Sequence, residues 1–86
     1  MHIELFIREW CPWCVEARAI LDQRGYSYTV RDLENDPANV AEMIRISGQP
    51  KVPTLTVGSL VLADFGPEEL LAFLKKYGLQ PDSKTL

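Results

Sequence analysis

The sequence has very little of the material from which metal sites and disulfide frameworks are built. Its 86 residues include two cysteines and one histidine, whereas a structural zinc site needs four ligands. Cys11 and Cys14 are separated by two residues, so a disulfide between them would close a loop too short to constrain the unfolded chain much. The composition therefore disfavours both a zinc site within one chain and a structural cross-link.

Clusters of positive charge and long apolar runs are also scarce. Lysine and arginine number nine against twelve acidic residues, and the densest basic stretch is Lys75-Lys76. We therefore expect no nucleic-acid partner. No apolar run approaches membrane-spanning length, and the N-terminus lacks the pattern of a signal peptide. The sequence predicts a cytoplasmic monomer without membrane association, and in that reducing compartment a cysteine pair is more often catalytic or metal-binding than structural.

Hydrophobic periodicity indicates seven elements within residues 1–78. Strand patterns cover 2–7, 26–30, 54–57 and 60–63, and helix patterns follow Cys11, Asp36 and Gly66. The order βαβαββα predicts an α/β fold with a four-stranded mixed sheet flanked by helices. Residues 1–78 are predicted to form one domain, and residues 79–86, which show no periodicity, a flexible C-terminal tail.

The position of the cysteine pair favours redox chemistry. Cys11 lies between the first predicted strand and the first helix, and Pro12 suits the first helical position. The free amides of Trp13 and Cys14 would then point toward the Cys11 sulfur, where they and the helix dipole stabilise a thiolate. Cys14, one turn inside the helix, would be within disulfide reach but less accessible. We predict that Cys11 attacks and that Cys14 resolves.

Residues near the pair suggest how a substrate is held. Arg8 at the end of the first strand could add positive charge near the thiolate, bind a substrate carboxylate, or do neither. Trp10 and Trp13 would offer an apolar contact surface on an exposed loop. Alternatively one tryptophan belongs to the core, and Trp10 is then the better candidate. Val52-Pro53 directly precedes a strand, where a proline is ordinarily trans.

The chain resembles the glutaredoxins, small members of the thioredoxin-like superfamily, over roughly residues 1–77. The matching features are "CPWC" at 11–14, the basic residue Arg8 three positions before it, and "VPTL" at 52–55. The resemblance implies a thioredoxin-like fold without a bound cofactor or metal. It also implies dithiol exchange on protein or glutathione mixed disulfides, with glutathione as reductant.

The same resemblance implies roles for individual residues. Cys11 is the nucleophile, Cys14 the resolving thiol, and Pro53 is cis. The backbone of Val52 pairs with a substrate peptide like an added strand, and Arg8 anchors a glutathione carboxylate. Further contacts to substrate or glutathione are expected from three more residues: Trp13, Asp64 and Phe65.

The C-terminal part departs from the glutaredoxin pattern. Glutaredoxins usually carry a glycine pair and an aspartate before the last helix, where the γ-glutamyl end of glutathione binds. This chain has "LADFGPEEL" at 62–70, in which Asp64 is the candidate aspartate. Its Phe-x-Pro entry to the helix resembles the NrdH-redoxins, which are reduced by thioredoxin reductase. That enzyme is therefore the alternative reductant.

A third hypothesis comes from a different functional class. The cysteine pairs of two chains could together hold a metal ion or an iron–sulfur cluster, which would make the protein a non-enzymatic binding module. Pro12 disfavours this arrangement because it stiffens the loop and removes an amide.

Overall fold

Four strands and three helices make up the fold in the computed structural model, which describes residues 2–81. The elements are β1 (Ile3–Ile7), α1 (Pro12–Gln23), β2 (Tyr28–Asp32), α2 (Pro37–Ser47), β3 (Thr54–Val57), β4 (Leu60–Ala63) and α3 (Pro67–Lys76). The strand order in the sheet is β2-β1-β3-β4. β1 pairs parallel with β2 and antiparallel with β3, and β3 pairs antiparallel with β4. The predicted βαβαββα order and mixed sheet are confirmed.

Both faces of the sheet are covered, because β1 buries side chains in both directions. Ile3, Leu5 and Ile7 belong to the larger core, which also takes in buried residues of α1, β3 and α3. Phe6 belongs to a smaller core with Met43 of α2. Since alternate residues of a strand point to opposite faces, α1 and α3 cover one face and α2 covers the other.

The helix ends follow their local sequence signals. Asp36 accepts a hydrogen bond from the backbone N–H of Ala38 at 3.0 Å and so caps α2. Gly48 ends the same helix with a φ of 75°, a left-handed conformation that glycine adopts without strain. Pro67 opens α3. None of the helices within residues 2–81 has the length and apolar character needed to cross a membrane.

The second strand lies two residues further along the chain than predicted. The sequence pattern indicated residues 26–30, whereas β2 is Tyr28–Asp32. Tyr26 instead packs back against the last turn of α1, where its N–H donates to a helix carbonyl at 2.9 Å. Arg31 and Asp32 join the strand through backbone pairing with β1, and Glu4 of β1 also faces the Arg31 guanidinium at 3.3 Å. The strand thus extends beyond its apolar residues.

The packed part of the chain extends past the predicted domain boundary at residue 78. Leu79 contacts the larger core, and its N–H donates to the carbonyl of Leu74 at 2.9 Å. The hydroxyl of Tyr26 donates to the Leu79 carbonyl at 2.6 Å. The first residue of the predicted tail is therefore held against the domain, whereas residues 82–86 of that tail lie outside the described residues.

Candidate active site

Cys11 is the N-cap residue of α1, as predicted. Its backbone is extended, with φ −85° and ψ 115°, and Pro12 takes the first helical position. Of the two amides expected to face the sulfur, that of Cys14 donates to the Cys11 Sγ at 3.2 Å. An N–H donor at the positive end of a helix stabilises a sulfur anion. The local sequence therefore places a donor on the sulfur that was predicted to attack.

Cys14 differs from Cys11 in burial and in protonation. Both are free cysteines, and Cys14 is 1% exposed against 7% for Cys11. Burial, followed by the hydrogen bond with Cys11, raises the pKa of the Cys14 thiol from 9.0 to about 12. A backbone hydrogen bond with Arg8 and the charge of that residue act in the opposite direction but are weaker. Cys14 is therefore a buried, protonated thiol at neutral pH.

A groove of about 280 Å³ lies beside Cys11. It is lined by Arg8, Trp10, Cys11, Pro50, Lys51, Val52 and Asp64. The peptide bond between Val52 and Pro53 is cis, as the glutaredoxin resemblance implies. Within residues 2–81, no group of three or more histidine, cysteine, aspartate or glutamate side chains is arranged to hold a metal ion. The structure thus brings Arg8, Val52 and Asp64 together with Cys11 around one groove.

Each of the two cations that line this groove is paired with a carboxylate. Arg8 Nη1 lies 3.4 Å from Glu34 Oε2, and the indole N–H of Trp10 donates to the same oxygen at 2.9 Å. Lys51 Nζ lies 3.9 Å from Asp64 Oδ2. Sequence reasoning missed Glu34, although a signal existed. Because β1 and β2 are parallel, the residues that follow them lie at the same edge of the sheet.

The structure corrects two expectations about aromatic residues. Trp10, the better candidate for a core position, is 67% exposed, compared with 52% for Trp13. Its indole N–H is bound to the carboxylate of Glu34, which holds the ring outside the core. Phe65, expected to contact substrate, is 1% exposed and belongs to the larger core. Its side chain anchors the start of α3 and is not available to a ligand.

The start of α3 is capped by its own glutamate. The backbone N–H of Gly66 donates to Glu69 Oε1 at 2.9 Å. A Cβ placed on Gly66 would lie 3.1 Å from that oxygen and 3.6 Å from the ring of Trp13, so the position suits glycine. Asp64, two residues before Gly66, has a φ of 54°. This helix end therefore already carries a carboxylate at one of its free amides.

Three comparisons relate this chain to known proteins. The family model described as Glutaredoxin matches residues 3–61. Glutaredoxin 3 of Escherichia coli (strain K12) is 30% identical over 80 residues, which make up 93% of this chain and 94% of that protein. A thioredoxin-like protein of known crystal structure has a TM-score of 0.76 at 26% identity, over 84% of this chain and 99% of that one. The NrdH-redoxin from Escherichia coli has a TM-score of 0.72 at 23% identity, over 96% and 100% of the two chains.

Proposed function

Because this chain belongs to the glutaredoxin family and has its thioredoxin-like fold, we propose that it reduces protein or glutathione mixed disulfides by dithiol exchange through Cys11 and Cys14. The observation that carries the proposal is the asymmetry of the two sulfurs. Cys11 borders an open groove and accepts a backbone N–H, whereas Cys14 is buried and protonated. The proposal includes a cytoplasmic location, because dithiols are kept reduced there.

The first chemical step is the attack of the Cys11 thiolate on a substrate disulfide. A bond forms between Cys11 Sγ and one substrate sulfur, and the other substrate sulfur leaves as a thiolate that takes up a proton. In the second step Cys14 loses its proton and attacks Cys11 Sγ. The Cys11–Cys14 disulfide forms and the remaining substrate sulfur is released as a thiol. The substrate gains two electrons and the protein is oxidised.

The mixed disulfide itself prepares Cys14 for the second step. Part of the rise in the pKa of Cys14 comes from its hydrogen bond with the Cys11 sulfur and from the charge of that sulfur. Once Cys11 is bonded to substrate it is no longer an anion, so these contributions fall. The resolving thiol thus becomes easier to deprotonate when a substrate is attached.

The loop before β3 offers main-chain atoms to a substrate. Within residues 2–81 the backbone N–H and C=O of Val52 make no hydrogen bond, and the residue lines the groove beside Cys11. An extended peptide could pair with these atoms as an added strand. The exposed ring of Trp10 lines the same groove, and Trp13, next but one to Cys11, is also exposed, so both provide apolar contact area. These features support a peptide segment around a disulfide as the substrate.

The start of α3 favours thioredoxin reductase over glutathione as the source of electrons. The glutaredoxin resemblance implies that the γ-glutamyl end of glutathione binds here. In this chain Glu69 already accepts the N–H of Gly66, and Glu68 adds negative charge to the same first turn. A glutathione carboxylate would have to displace or approach these groups, which like-charge repulsion opposes. We therefore propose an NrdH-redoxin type of activity, with thioredoxin reductase as the source of electrons.

A coupled assay of NADPH oxidation tests both parts of the proposal. The protein is given insulin as a disulfide substrate, together with either thioredoxin reductase or glutathione and glutathione reductase. We expect NADPH consumption that disappears in a folded Cys11→Ser variant, and faster turnover with thioredoxin reductase. Absence of turnover with both systems would refute the oxidoreductase function. Faster turnover with glutathione would refute the choice of reductant alone.

A further inference from the structure

Both cations of the groove beside Cys11 are paired with carboxylates of the chain itself. Arg8 lies 3.4 Å from Glu34, and Lys51 lies 3.9 Å from Asp64. The side chains of Arg8 and Glu34 are 29% and 50% exposed, so a ligand in the groove can reach the pair. An anionic ligand therefore meets a groove in which the positive charge is already balanced.

Glu34 is held in this position by several contacts. Its own N–H donates to Asp32 Oδ1 at 2.8 Å, and the N–H of Asn35 donates to the same oxygen at 3.3 Å. This arrangement fixes the turn that follows β2. The carboxylate end is held by Trp10, whose indole N–H donates to the oxygen that also faces Arg8. Contacts at both ends of Glu34 thus hold its charge beside Arg8 and Trp10, two residues that line the groove.

We propose that Glu34 is a specificity-determining residue that disfavours small disulfides bearing carboxylates. Such a substrate must share the Arg8 guanidinium with Glu34 or displace Glu34 from it. A protein disulfide would depend instead on the backbone of Val52 and on the tryptophan rings, which this charge does not oppose. The inference rests on the proposed function and adds the charge of the preferred substrate to it.

A single isosteric substitution separates the charge of Glu34 from its hydrogen bonds. Glu34→Gln removes the negative charge but keeps a side-chain oxygen that can accept the Trp10 N–H. Glu42→Gln is the matched control, because Glu42 lies on α2 and pairs with Arg45 at 2.6 Å, whereas Glu34 contacts the groove residues Arg8 and Trp10. Both variants change the net charge by the same amount.

The test compares how fast two small disulfides oxidise the reduced protein: neutral bis(2-hydroxyethyl) disulfide and anionic 3,3′-dithiodipropionate. We expect Glu34→Gln to raise the ratio of the anionic to the neutral rate constant by about two- to fivefold at low ionic strength. The gain should shrink in high salt. Glu42→Gln should leave the ratio unchanged, and Glu34→Gln should lose its effect in an Arg8→Gln background.

Three outcomes would overturn the inference: an unchanged ratio in Glu34→Gln, an equal change in Glu42→Gln, or a gain that persists without Arg8. These results are distinct from failure of the proposed function. If the neutral disulfide does not oxidise the wild-type dithiol at all, the exchange chemistry itself is refuted. If it does, and the ratio does not respond to Glu34, only the role of Glu34 is refuted.

Discussion

Cys14 is 1% exposed and lies one helical turn from a sulfur that borders an open groove. At the scale of single residues, this difference supports separate roles for the two sulfurs in the proposed exchange. Burial and the contact with Cys11 raise the pKa of Cys14 to about 12, so the proposed resolving thiol stays protonated at neutral pH. The protonated neighbour can also donate to the Cys11 sulfur. Two chemically identical side chains therefore acquire different roles from their positions in one helical turn.

The raised pKa of Cys14 predicts a loss of stability at alkaline pH in the reduced protein. An unfolded cysteine titrates near 9.0 and the folded one near 12. Between these values the unfolded state has lost a proton that the folded state retains, so rising pH favours unfolding. This group alone lowers the free energy of unfolding by about 1.4 kcal/mol per pH unit in that window.

Urea unfolding of the reduced protein at several pH values between 8 and 11 measures this dependence. Cys14→Ser is the control, because it keeps the tyrosine and lysine titrations and lacks the thiol. We expect the wild-type protein to lose stability more steeply than the variant above pH 9. Parallel curves for the two proteins would contradict the protonated, buried state of Cys14.

At the scale of elements, the N-termini of α1 and α3 differ in the group that accepts a backbone N–H there. At the start of α1 the backbone N–H of Cys14 donates to the sulfur of Cys11. At the start of α3, Glu69 turns back to accept the N–H of Gly66. A helix N-terminus favours any negative group. In α1 that group is the predicted nucleophile, whereas in α3 it is a structural carboxylate.

The cap on α3 predicts unequal costs for two neighbouring substitutions. Glu68 and Glu69 both lie in the first turn, where negative charge is favourable, but Glu69 alone bonds Gly66. We expect Glu69→Ala to lower the free energy of unfolding by about 0.5–1 kcal/mol more than Glu68→Ala. Chemical denaturation of the two variants measures the difference. Equal losses would show that the hydrogen bond to Gly66 contributes nothing beyond charge.

The position of an element could be predicted where it depends on residues that are adjacent in the sequence. The starts of all three helices could be located because a capping residue precedes a proline at each, as in Asp36 and Pro37. The strand β2 was misplaced because its last residues, Arg31 and Asp32, are charged and join the sheet through their partners on β1. Pairing with a distant strand cannot be derived from a single run of residues.

At the scale of the whole molecule, the sequence predicted the fold and part of the site. The order of elements was enough to predict a mixed sheet. It also predicted that Cys11 and Cys14 lie at the start of the first helix. The pairing of Arg8 with Glu34 did not, because it depends on which side chains meet at the ends of β1 and β2. Phe65 was misassigned because a sequence motif does not show whether its aromatic ring faces the core or the solvent.

Trapping of the mixed disulfide tests the assignment of the two cysteines most directly. Reduced Cys11→Ser and Cys14→Ser variants are incubated with a disulfide-containing protein, and the adducts are mapped by non-reducing mass spectrometry. We expect Cys14→Ser to accumulate a mixed disulfide through Cys11, since the resolving thiol is absent, and Cys11→Ser to form none. An adduct through Cys14 in the Cys11→Ser variant, with none in Cys14→Ser, would contradict the assignment of nucleophile and resolving thiol.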